Sequence, residues 1–166
     1  MLQPLVRRTW APVGQTPILR MWQRHDRISA LSGLTVSPRQ RRIGLYFRLQ
    51  RHNLHWPETV FFVRRLQCWL GRKIILVLDR SNVHRSAVRW LRKKYPRSIH
   101  VAWLPAYAPQ LNPVEQVWNN TKHGDLANYI PNGIGELEAT VRASLKKKRR
   151  DQSLLRSFFK EAKLIL

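Results

Sequence analysis

Residues 74–86, Ile74-Ile75-Leu76-Val77-Leu78-Asp79-Arg80-Ser81-Asn82-Val83-His84-Arg85-Ser86, decide how this chain is read. Five aliphatic residues without polar alternation predict a central strand covered on both faces, and the strand ends on an acid. A second apolar strand is expected from Ile99 to Leu104. The nineteen residues between, Arg80 to Ser98, hold a short helix from about Arg85 to Tyr95, stopped by Pro96. That connection is long enough for a helical crossover between parallel strands.

Upstream, Arg42 to Gln50 alternates strictly, with Ile43, Leu45, Phe47 and Leu49 on one face and Arg42, Tyr46, Arg48 and Gln50 on the other. Together with the strand-like Ile28 to Val36 and the linker Ser37-Pro38-Arg39-Gln40-Arg41, it predicts an antiparallel hairpin. A helix comes next: Pro57 and Glu58 suit its first turn, Phe62, Leu66, Trp69 and Leu70 form its apolar stripe, and Gly71 suits its exit. Residues 1–25, with Pro4, Pro12, Gly14 and Pro17, read as loop.

Downstream of the second apolar strand, Pro105 and Pro109 punctuate a loop and Asn112-Pro113 opens a helix. Two more helices complete the chain, one burying Leu137, Val141 and Leu145, the other Leu154, Leu155, Phe158 and Phe159. The order β-β-α-β-α-β plus three helices predicts one α/β domain over residues 1–166, a mixed sheet flanked by helices.

Thirty-one Lys+Arg face nine Asp+Glu, a formal net charge of +22, in a chain that is 43% hydrophobic with seven Trp. That is too apolar for a disordered polycation. The charge is not confined to a tail: residues 1–78 carry 14 basic groups and residues 79–166 carry 17. A polyanion is the expected partner. The longest aliphatic run, Ile74 to Leu78, is far too short to span a bilayer, and residues 1–8 hold no stretch of signal-peptide length. A single cysteine, Cys68, excludes an internal disulfide and a Cys-based zinc site. A reducing, cytoplasmic setting is expected.

Ligands of open α/β sheets gather beyond the carboxyl ends of parallel strands. Asp79 sits at that end of one strand and Glu115 in the first turn of the helix after the next, so adjacent strands would bring both acids to one rim. Amid so much positive charge, such a pair suits a divalent cation facing a phosphodiester. The same residues also read structurally. Asn112-Pro113-Val114-Glu115 is a good helix start with Glu115 where a capping box wants its carboxylate, and Asp79 could cap the helix after its strand.

Residues 74–86 together with Leu104-Pro105-Ala106-Tyr107-Ala108-Pro109-Gln110-Leu111-Asn112-Pro113-Val114-Glu115-Gln116-Val117-Trp118 resemble the second and third catalytic motifs of the DDE transposases, in particular the mariner-like bacterial insertion-sequence group. Thirty-five residues separate the two acids, a spacing typical of that group. Arg8-Thr9-Trp10-Ala11-Pro12-Val13-Gly14-Gln15-Thr16-Pro17 resembles the loop after the first catalytic strand, so the likeness covers nearly the whole chain.

The resemblance implies an RNase H-like fold, Mg²⁺ or Mn²⁺ as cofactor, DNA (transposon ends and target) as partner, and strand cleavage followed by strand transfer. Asp79 and Glu115 would be the second and third catalytic carboxylates and metal ligands. The family's first carboxylate lies on a central strand before the Trp-Ala-Pro loop. Residues 1–4 already correspond to a point beyond it, and Asp26 is a poor substitute by position. An upstream helix-turn-helix is likewise expected to be lacking. The hairpin and the parallel pair would then present two open strand edges. The half-sheets could close up, or a separately encoded part or another copy could supply the strand.

His84, five residues after Asp79, could approach a phosphate or metal, or simply sit at a helix start; Asn112 is a further nucleic-acid candidate. Lys146-Lys147-Lys148-Arg149-Arg150 could contact DNA phosphates, or form a solvated helix end before a new cap at Asp151. Trp118 reads as core, Trp10 and Tyr107 as loop residues able to stack on bases. Three functions remain open: a metal-dependent DNA cleaving and joining enzyme in a bacterial, nucleoid-associated setting; a non-catalytic basic DNA-binding remnant; and a subunit completed by a partner.

Overall fold

The computed structural model describes residues 5–15, 18, 27–39 and 42–164. Asp26, Thr16, Pro17 and parts of the hairpin linker lie outside the described residues, as do residues 1–4. The hairpin forms as its alternation dictates. Strand β1 (Ser29–Val36) pairs antiparallel with β2 (Ile43–Gln50), Leu34 opposite Leu45 and Gly33 opposite Tyr46. One face, with Ile43, Leu45 and Leu49, is buried in a core shared with the C-terminal helices. The other receives helix α1 (Trp56–Leu70). Gly33 matters there: a Cβ at that position would lie 3.5 Å from the Phe62 ring, so the absent side chain admits the helix closely.

Helix α1 begins where Glu58 accepts a hydrogen bond from the His55 backbone N–H and ends at Gly71, whose φ of 61° is left-handed. Phe62 and Leu66 are buried as expected, but Trp69 is 57% exposed because it lies flat on Tyr46, ring centroids 5.8 Å apart. The stripe turns outward at the helix end.

Strands β3 (Ile74–Leu78) and β4 (Ile99–Trp103) run parallel, Leu76 opposite Val101, joined by helix α2 (Asn82–Lys94). This helix starts a turn earlier than expected because Ser81 caps it, its Oγ accepting the His84 N–H. Covering of both β3 faces is corrected. Ile74, Leu76 and Leu78 pack on α1 and α2, whereas Ile75 and Val77 are 73% and 54% exposed. A continuous aliphatic run records that both faces favour burial without supplying the cover, and among the described residues nothing covers the second face.

As expected for a mixed sheet without its central strand, the strands form two separate two-stranded ladders, β1–β2 and β3–β4, with no strand between them among the described residues. Helices α3 (Pro113–Asn120), α4 (Ile134–Arg150) and α5 (Gln152–Glu161) complete the fold. They bury Val117, Leu137, Val141, Leu145 and Leu155 against the hairpin, and Trp118 packs at the margin of that core. Where α4 meets α5, Asp151 accepts the Leu154 N–H as a new cap. Next to it Gln152 exchanges two hydrogen bonds of 2.9 Å with the backbone of Ile43, and the Arg149 Nε donates to the Leu45 carbonyl at 2.9 Å. The start of the outer edge of β2, at Ile43 and Leu45, is thereby occupied by side chains, one way to blunt an open strand.

Candidate carboxylate cleft

Because β3 and β4 are parallel neighbours, the segments that leave their carboxyl ends share one rim. The β3 exit supplies Asp79, Arg80, Ser81 and Arg85; the loop after β4 supplies Leu104 to Pro109, then Asn112 and Glu115. These residues line one cleft of about 380 Å³. Both acids therefore open into the same space, as the connection lengths require.

Neither acid is used up as a cap. Asn112 caps α3 with its own side chain, its Oδ1 accepting the Val114 N–H at 3.1 Å. Its backbone N–H donates to the Pro109 carbonyl at 3.0 Å, the bond that a capping box would have given to Glu115. No hydrogen bond holds the Glu115 carboxylate among the described residues. At the other acid, Oδ1 accepts the Ser81 N–H at 2.9 Å and lies 2.6 Å from His84 Nδ1. A carboxylate oxygen accepts, so this ring nitrogen carries the proton. Burial works to raise the Asp79 pKa, but the Ser81 backbone N–H and the His84 ring outweigh it, and the carboxyl titrates below its ordinary range. Asp79 is thus ionised with Oδ1 tied down and Oδ2 without a partner among the described residues.

His84 stands behind Asp79 rather than in the cleft lining, and Asn112 reaches the lining while serving as a cap. The basic run is not brought to the cleft, and it is not uniform. Lys146, Lys147 and Arg150 are exposed, but Lys148 is 4% exposed and donates to Asp125 and to Ser144 Oγ. Helical periodicity turns the third lysine inward, which removes it from any phosphate-facing stripe. Arg149 is exposed yet anchored on the β2 edge.

Two cleft residues were missed in the sequence, Arg80 and Arg85, both exposed. Their signal was available: one comes directly after the strand-end acid, and the other lies in the first turn of the capped helix, whose N–H groups also favour an anion. Tyr107, fully exposed on the opposite lip, adopts a left-handed φ of 55°, a conformation that costs a non-glycine residue on the order of 1–3 kcal/mol. Trp10 is also fully exposed.

The donor chemistry suits a hard cation, since unengaged carboxylate oxygens from two elements face one space. It is short in number: among the described residues no three His, Cys, Asp or Glu side chains group closely enough to hold a metal ion.

A parallel strand pair with acids at its carboxyl rim, beside a hairpin flanked by helices, is the RNase H-like α/β architecture. The crystal structure of the Mos1 Strand Transfer Complex superposes with a TM-score of 0.65 at 15% identity, over 98% of this chain and 47% of that one. The chain thus spans about half the length of that structure's chain. The family model described as DDE superfamily endonuclease matches residues 1–132, and the chain belongs to that family. No curated protein matches it.

Proposed function

We propose that this chain is the catalytic core of a DNA transposase, cleaving a DNA strand and joining its 3′ end to target DNA with Mg²⁺ or Mn²⁺. The observation that carries the reading is the opening of Asp79 and Glu115 into one cleft with their outer oxygens unengaged. Asp79 and Glu115 would hold the cation, which when bound polarises phosphodiester oxygens. His84 acts through Asp79, fixing Oδ1 so that Oδ2 is left for the ion. Arg80 and Arg85 neutralise the phosphate, and Tyr107 lies where a base could stack. Lys146, Lys147 and Arg150 add phosphate contacts outside the cleft. Membrane attachment forms no part of this reading, and no helix among the described residues is long and apolar enough to cross a bilayer. The bacterial cytoplasm, at the nucleoid, is the setting.

Two carboxylates make a weak site for two ions, so a third acid must come from outside the described residues. A strand preceding residue 1 or carried by a separately encoded partner or another copy fits best between β1 and β3, each of which pairs on one side only among the described residues. The test is Mg²⁺-dependent nicking of DNA by the chain with and without the upstream-encoded strand, alongside Mn²⁺ titration. Asp79→Asn and Glu115→Gln are expected to abolish nicking and weaken Mn²⁺ binding while leaving DNA affinity unchanged or slightly raised. Nicking that survives both substitutions overturns the proposal. No nicking under either condition favours the non-catalytic binding remnant.

A further inference from the structure

The end of the β3–β4 pair opposite the cleft gathers a cluster of exposed cations. Parallel strands start at the same end, and the helices that connect them finish there. The α1 exit, the start of β3, the α2 exit and the start of β4 therefore form one pole. It carries Arg65, Arg72, Lys73, Arg92, Lys94 and Arg97, all exposed. From Thr59 to Val114 the sole acid is Asp79, at the far end of β3. Five strand residues at about 3.3 Å each put roughly 16 Å between this pole and the cleft.

Helix dipoles favour cations only within the last turn, which accounts for Arg92 and Lys94 but not for Arg65, Lys73 or Arg97. Beside the pole, the rings are arranged to hold guanidinium groups. Trp69 is covered by Tyr46 on one side, and the Arg65 guanidinium lies 5.1 Å from its ring centroid. Arg48 lies 4.7 Å over Phe61, two turns back along α1 and so away from the pole, and its guanidinium donates to the Gln50 side-chain oxygen. Beside Tyr46 and Arg65, Trp69 keeps 57% of its surface exposed. The cation–π contact fixes the plane of Arg65 and leaves its N–H groups for another partner. No carboxylate pairs with Arg48 or Arg65 among the described residues.

We infer that this arginine-aromatic pole is a second DNA-contact surface, taking the phosphate backbone of a duplex without sequence preference while the cleft engages another segment. The inference rests on DNA being the partner and not on the chemistry of the cleft. Its occupant is set by charge: a dense cluster without acids suits a polyanion and repels a second copy of the same pole.

The test compares the full chain with the triple variant Arg65→Gln, Lys73→Gln, Arg97→Gln and with a control triple of exposed cations elsewhere, Arg39→Gln, Lys160→Gln, Lys163→Gln. Each is checked for native circular dichroism, and each is titrated with a random-sequence duplex across a salt series. The pole variant is expected to lower the log K against log [salt] slope by about 2 to 3 units and to weaken binding roughly 30-fold or more near 0.1 M salt. A second readout asks whether protein bound to an immobilised duplex captures a labelled free duplex. The wild type and Asp79→Asn should both capture it, and the pole variant should not. An unchanged slope, a loss no larger than the control's, or a change in self-association by sedimentation without change in DNA binding would overturn the inference. Failure of metal-dependent nicking alone leaves these readouts intact and bears only on the cleft.

Discussion

The hairpin half of the molecule and the cleft half are packed to different standards. Around β1, β2 and α3 to α5, Ile28, Val117, Leu126, Leu137, Val141, Leu145 and Leu155 are completely enclosed. Around β3, β4, α1 and α2 only Ala87 is, Ile99 and Val101 keep 9% exposure, and one face of β3 is bare. The first half is a finished core between the hairpin and three helices, whereas the second is a parallel pair covered on one side. Asp79 thus sits on the less supported half and Glu115 on α3 of the finished one, so their spacing depends on how the two halves are held, which gains most from an added strand or from DNA.

The largest effect should come from the enclosed core. Leu145→Ala is expected to cost about 3 kcal/mol in urea unfolding. Leu76→Ala, half-buried in the other half, should cost about half as much; equal losses would erase the contrast. Next comes the inward lysine. Lys148→Met removes the partner of Asp125 and should cost on the order of 2 kcal/mol, while Lys147→Met, one residue away and exposed, should be near neutral.

This pair also sets an acid limit. Burial works to raise the Asp125 pKa, but hydrogen bonds from Lys148 and Ser144 outweigh it and lower it. A carboxyl depressed in the fold stabilises above its unfolded pKa, and that contribution disappears as pH falls from about 4 through the folded value. Thermal melts of Lys148→Met should therefore lose less stability than wild type across that acid window. A smaller change, about 1 kcal/mol, is expected for Gly71→Ala, since φ at that position is left-handed. Smallest of all, Ile75→Thr should shift stability by less than about 0.5 kcal/mol but reduce self-association in light scattering. A large loss of stability there would mean that the β3 face is covered after all.

Much of this was legible in the residues. Period-2 alternation placed Ile43, Leu45 and Leu49 in the core, and helical spacing did the same for Leu137, Val141 and Leu145. Connection length made β3 and β4 parallel neighbours, and that alone put Asp79 and Glu115 on one rim. Pattern says less where a residue's place depends on something outside its own element. The run Ile74 to Leu78 predicted two covers and found one. Trp69 left its stripe to lie on Tyr46, and Lys148 left its charge run because α4 turns every third or fourth side chain inward. Whether Glu115 completes a capping box depended on a single backbone N–H, that of Asn112, and no sequence rule says that Pro109 would take it.

The plug of Gln152 and Arg149 along β2 gives the assembly a direction. With the start of the hairpin's outer rim occupied, a strand that joins the hairpin is steered to its β1 side, so that ladder is completed by insertion more readily than it is lengthened on its outer side. Growth into an indefinite ribbon is blocked there by two side chains, and the same two leave the interior as the place where a visiting segment would also meet the acids.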